Sequence, residues 1–177
     1  MEGRNAAVEG TAAGHVPLVG RTIDREEVFM MYQKVLVPLD GSGLAECALP
    51  HVKEMVKEGH AGQVTVLNVI DLHPSIFAEG VDANYIMKAQ FDNAKKYLTD
   101  LKERLRAEGL EIKAEVLKGS AAQAIAEYAQ QNGMDLIVIA THGYSGMKRL
   151  MFGSVALRVL HDSHVPVLLI RPEACRT

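Results

Sequence analysis

From Gln33 onward the chain alternates two kinds of segment, and this alternation limits its fold more than any other feature. Short aliphatic and β-branched runs recur at Lys34–Leu39 (KVLVPL), Gln63–Ile70 (QVTVLNVI), Glu111–Leu117, Asp135–Ala140 (DLIVIA) and Val165–Ile170 (VPVLLI). KVLVPL reads as a buried parallel strand, and DLIVIA is apolar enough to be central. Glu111–Leu117 instead alternates Ile112, Ala114 and Val116, which predicts a strand with unequal faces. Pro166 cannot donate to a ladder and belongs at the start of its strand or on an edge.

Helical spacing fills the intervals. It predicts a helix over Leu44–Glu58, kinked by Pro50, and a long helix over Ala83–Glu108 whose Met87, Phe91, Ala94, Leu98, Leu101 and Leu105 line one face. Gly109 stops that helix. Ser120-Ala-Ala-Gln123 has capping-box spacing at the start of a helix running to Gly133, and Ser154–Asp162 predicts the last one. Residues 71–81 and 141–152 read as loops. Five strands interleaved with four helices predict an α/β fold, a five-stranded parallel doubly wound sheet with helices on both faces.

Bulk composition narrows the partners. A length of 177 residues with 48% apolar content suits one domain with a buried core. The net charge of −3 and a pI near 6.2 give no electrostatic reason for nucleic acid or an anionic membrane as partner. No apolar run approaches the roughly 18 residues of a membrane span, and no signal peptide is legible. Cys47 and Cys175 form neither a CxxC pair nor a disulfide framework. A cytoplasmic protein is expected. Residues 1–32 lack periodicity, apart from one helical turn's worth at Asp24–Phe29, and read as a mobile N-terminal extension to a domain over 33–177.

In a doubly wound sheet, ligands sit beyond the carboxyl ends of the strands, where the strand order reverses. Val37–Ser42 and Ala140-Thr-His-Gly143, followed nine residues later by Gly153-Ser154, both fall at such ends. Glycines let backbone amides approach a ligand, and a helix N-terminus offers free amides and positive potential, so phosphate is the natural guest. Asp40 supplies a carboxylate suited to ribose hydroxyls, which favours a nucleotide over free phosphate. Plainer readings stand beside these. Ser42 suits a cap for the helix it precedes, and Gly143 and Gly146 suit loop punctuation. His142, Lys148 and Arg149 suit a solvated loop, and His161 and His164 suit a helix C-terminus better than a metal site that lacks a third ligand.

Ala-Thr-His-Gly, nine residues, Gly-Ser, together with VPLDGS after the first strand and LNVID closing the second, resembles the ATP-binding class of the universal stress protein family. The resemblance spans Gln33 to Pro172. It departs from the family pattern at Ala140, where the first glycine is expected. It implies an adenine nucleotide alpha hydrolase-like sheet of order 3-2-1-4-5. It further implies that Pro38, Leu39 and Asp40 line an adenosine pocket, that Val69 meets adenine, and that Ile139 and Ala140 border the ribose. Gly143, Gly153, Ser154 and Val155 would hold phosphates. ATP, or AMP or ADP, is the implied ligand, with Mg or Mn accompanying it and a homodimer formed through the last strand.

Three functions remain in competition: regulatory ATP binding with little turnover, slow metal-assisted ATP hydrolysis, and an interaction dimer that binds no nucleotide. No general base is evident, which favours holding ATP over hydrolysing it. The P-loop pattern is absent. Gly41-Ser-Gly43 with Glu46 in the third glycine's place is a poor dinucleotide fingerprint.

Overall fold

The computed structural model describes residues 17–18, 21–22, 31–71, 83–141 and 153–172. Five parallel strands form one sheet: β1 (Tyr32–Pro38), β2 (Ala61–Ile70), β3 (Ile112–Lys118), β4 (Leu136–Ala140) and β5 (Val167–Ile170). Their spatial order is 3-2-1-4-5, as expected. β1 lies at the centre, with Val35 opposite Val64 on one side and opposite Leu136 on the other. Ahead of the sheet, Pro17–Leu18 and Arg21–Thr22 form a short antiparallel pair.

The near-continuous apolar strands are explained by helices covering both faces. Val35, Val37, Val64, Val66 and Val138 face a layer built from α1 (Leu49–Lys57) and α2 (Ala83–Ala107), including Val52, Leu98, Leu101 and Leu105. The alternate residues Leu36, Leu67, Ile137 and Ile139 face α3 (Ala121–Gln131) and α4 (Ser154–Asp162), through Ile125, Ala129 and Val159. One strand thus feeds two cores, since consecutive side chains point to opposite faces. β3, on an edge, is only partly buried after Ile112.

Three local expectations are corrected. The helix expected over Leu44–Glu58 is instead a 3-10 turn, Ala45–Ala48, followed by α1. Pro50 falls in the first turn of α1, where its missing N–H would have had no acceptor in any case, so it starts the helix and does not kink it. Ser120 occupies the N-cap position of α3 but makes no side-chain cap, and Gln123 hydrogen-bonds Glu127 at 2.8 Å, so the capping box does not form. The last strand begins at Val167, because the Ser163 hydroxyl takes the Val165 N–H at 3.0 Å and keeps that residue in a turn. Pro166 lies just before this edge strand, its carbonyl accepting from Ile137 N–H. Gly109, at φ +84°, ends α2 as expected, with Leu110 N–H reaching back to the Leu105 carbonyl. The possible helical turn at Asp24–Phe29, most of the loop after Asp71, and Cys175 lie outside the described residues.

Gly62 lies tight against β1: a Cβ there would stand 2.7 Å from the Gln33 carbonyl oxygen, whereas one at Gly43 would meet nothing within 4 Å. Gly62→Ala is therefore expected to lower stability by about 1–3 kcal/mol through overpacking, while Gly43→Ala stays within about 0.5 kcal/mol of the parent. Urea unfolding of the two variants side by side checks both values.

Candidate functional site

The strand order reverses between β1 and β4, and a cavity of about 290 Å³ opens beyond their carboxyl ends. This is the crevice where α/β sheets of this topology take ligands. Pro38, Leu39 and Asp40 enter it from the end of β1, Val69 from β2, Ile139 and Ala140 from β4, and Gly153, Ser154 and Val155 from the start of α4. Nine of the ten residues singled out from the sequence thus line one space. The tenth, Gly143, lies outside the described residues, as do His142, Gly146, Lys148 and Arg149.

The cavity is two-natured. Leu67, Ile125 and Ile139 are nearly inaccessible and apolar, while Asp40, Ser154 and Val155 are exposed. A flat apolar group fits below, and a polar or charged group fits at the rim.

The Asp40 side is held by its own hydrogen bonds. Leu39 N–H donates to the Leu67 carbonyl at 2.9 Å, and the buried Asn68 amide donates to the Leu39 carbonyl at 2.8 Å. The chain then turns. Ser42 N–H donates to Asp40 Oδ1 at 2.9 Å, and the Ser42 hydroxyl accepts from Ala45 N–H at 3.1 Å. Ser42 therefore does cap the segment that follows, and the same turn sets the Asp40 carboxylate.

At the start of α4, Gly153 N–H is committed to the Thr141 carbonyl. The expectation that Gly153 offers an amide to phosphate is thereby revised: its hydrogen bond draws the end of β4 to the start of α4. Leu157 N–H closes the first helical bond onto the Gly153 carbonyl, at 3.1 Å. Helix geometry leaves the amides of Ser154, Val155 and Ala156 without an intrahelical acceptor, and the N-cap residue, Gly153, has no side chain to cap them. Ala140, which replaces the first glycine of the pattern, ends β4 in extended backbone and is 6% exposed. An extended residue carries a methyl group without strain.

Sequence reasoning missed Ala45, Leu67, Ala121, Ile125, Thr141 and Ala156 as cavity residues. Leu67 was within reach, because it shares a face of β2 with Val69. Ala121 and Ile125 come from a crossover helix whose placement no local pattern encodes. Among the described residues no three His, Cys, Asp or Glu side chains gather as metal ligands, and His161 pairs with Asp162. No described helix is long and apolar enough to cross a membrane.

Fold and cavity together define a doubly wound α/β protein with a ligand crevice at its topological switch point. The model of the universal stress protein family matches residues 31–171, and the chain belongs to that family. It is 34% identical over 143 residues to universal stress protein MJ0531 of Methanocaldococcus jannaschii, a match covering 80% of this chain and 83% of that one. The solved structure of MJ0577, from the same organism, superposes with a TM-score of 0.71 at 32% identity, covering 81% of this chain and 99% of that one. A family member from Arabidopsis thaliana, solved with AMP bound, shares the fold with a TM-score of 0.58 at 16% identity, over 82% of this chain and 95% of that one.

The Asn68 amide satisfies the Leu39 carbonyl from within the sheet. Asn68→Ala is expected to cost about 1–3 kcal/mol, the usual consequence of leaving a buried carbonyl without its donor. Guanidinium titration followed by circular dichroism measures the loss.

Proposed function

We propose that the crevice binds ATP, with AMP and ADP as alternative occupants, and that the protein works in the cytoplasm as a regulatory nucleotide binder with little turnover. The observation that carries this reading is one cavity with an apolar floor whose lining includes both Asp40 and the first turn of α4. Adenine would lie against Val69 and Ile139, the ribose hydroxyls would donate to Asp40, and the phosphates would meet the opening amides of α4 together with the Ser154 hydroxyl. Gly143 belongs to this phosphate-binding set in the proposal. Membership of the family, and AMP in a relative of the same fold, support the choice of an adenine nucleotide. A helix start favours anions because its N–H groups and dipole point outward. Mg or Mn would accompany the triphosphate as its counter-ion. The domain over 33–177 is the unit to which the function is assigned.

Slow hydrolysis assisted by that metal is the second reading, tested by phosphate release from the purified protein. The third, an interaction dimer without nucleotide, predicts no thermal shift in millimolar ATP. Asp40→Ala and Gly153→Val are each expected to weaken ATP binding by about tenfold, the scale of a hydrogen bond to a charged group or a displaced helix start. Both variants should keep the parent's fold without nucleotide, seen as one cooperative thermal transition with an unchanged circular dichroism spectrum. Titration calorimetry showing the parent affinity in both variants removes the site.

The proposed assembly is a homodimer through β5. Among the described residues this strand pairs only with β4, and Leu168 on it is exposed, as are Val155, Leu157 and Leu160 on α4. An open strand edge and exposed apolar side chains favour pairing with a second chain. Leu160→Asp combined with Leu168→Asp is expected to halve the mass seen by light scattering, while a parent that already runs as a monomer ends this part of the proposal.

A further inference from the structure

The turn that sets Asp40 is gripped from outside the cavity. Ser42, whose N–H holds Asp40 Oδ1, also accepts the Glu46 N–H on its carbonyl at 3.2 Å. The Glu46 carboxylate is itself held at both oxygens by α2: Tyr97 donates its hydroxyl to Oε1 at 2.9 Å, and Arg104 donates to Oε2 at 2.5 Å. Tyr97 and Arg104 stand seven residues apart, two helical turns, and so share one face of α2. Neither residue lines the cavity, nor does Glu46.

We propose that Glu46 is a positioning residue for Asp40: clamped by Tyr97 and Arg104, it fixes the 42–46 turn and, through Ser42, the carboxylate aimed at the ribose. This rests on the nucleotide reading given above. A carboxylate with two donors from one rigid helix has little rotational freedom, and its backbone is confined with it. The Arg104 side chain is 53% exposed, so that ion pair alone is weak. The half-buried Tyr97 bond makes the grip directional. Burial first, then the Glu46 bond and the charges of Glu46 and Asp40, push the Tyr97 phenol far above its ordinary range, so it stays a donor at any physiological pH. α4 has no part in the clamp, and of the cavity residues only Ala45 lies within the clamped turn. Loss of the clamp should therefore be felt first at the sugar, through Asp40.

The test compares ATP with 2′,3′-dideoxy-ATP, which lacks the hydroxyls that Asp40 would bind, by titration calorimetry on the full chain. The parent should prefer ATP. Glu46→Ala is expected to shrink that preference by about fivefold to tenfold, the equivalent of one hydrogen bond, and to leave dideoxy-ATP affinity within about twofold. Glu46→Gln, whose carbonyl still accepts from Tyr97, should recover part of the preference. Tyr97→Phe removes only the hydroxyl and should lower the preference by about twofold to threefold, which keeps the test decisive if Glu46→Ala fails to fold. An undiminished preference in these variants, or an equal loss for both nucleotides, overturns the positioning role and leaves the nucleotide reading standing. A parent that binds both nucleotides equally overturns Asp40 as the ribose ligand, and the clamp with it.

Discussion

The molecule is organised around β1, a strand buried on both faces and paired on both edges. Val35, Leu36 and Val37 have no exposed surface, and their side chains alternate between two cores. Because β2 lies on one side of β1 and β4 on the other, the chain leaves β1 and β4 in opposite lateral directions. The connections cannot cover the gap between those two strand ends, and the crevice is what remains. Cavity, Asp40 turn and α4 start are all consequences of that central placement.

The site divides its labour between backbone and side chain. On the β1 side, polar groups are tied down in sequence, from the Asn68 amide on Leu39 to Ser42 beneath Asp40. On the α4 side, one hydrogen bond from Gly153 to Thr141 joins strand and helix, and the next amides have no acceptor within the helix. One apolar floor thereby carries two kinds of polar group, a fixed carboxylate and a row of helix-start amides. The Glu46 clamp adds a third layer, joining α2 to the Asp40 turn across a distance in sequence of 51 residues at Tyr97 and 58 at Arg104. It makes the orientation of a site carboxylate depend on a helix that does not line the site.

Much of this was legible in the chain. DLIVIA, with no polar residue after Asp135, had to be a central strand, because only a sheet covered on both faces buries every side chain. Gly109 had to end a helix. Asp40, Gly153 and Ser154 were legible because they carry chemistry at the ends of periodic segments, whereas Pro38 and Leu39 came with the family resemblance. Where reading failed, a local rule had two outcomes. Pro50 can kink a helix or begin one, and the strand-to-helix turn ahead of it selected the second. Ser120 and Gln123 have the spacing of a capping box, yet Glu127 one turn further on offered Gln123 a competing partner.

The chain by itself determined which segments are strands and helices, that the sheet is parallel, and which residues bear polar groups near strand ends, since period and residue chemistry are local properties. Tertiary structure alone decided that Ala121 and Ile125 floor the crevice, that Gly153 spends its amide on Thr141, and that Tyr97 and Arg104 grip Glu46. The Gly153–Thr141 bond spans 12 residues, and the other contacts join elements much further apart. Packing two helical layers against a sheet fixes such contacts, which no periodicity along the chain encodes.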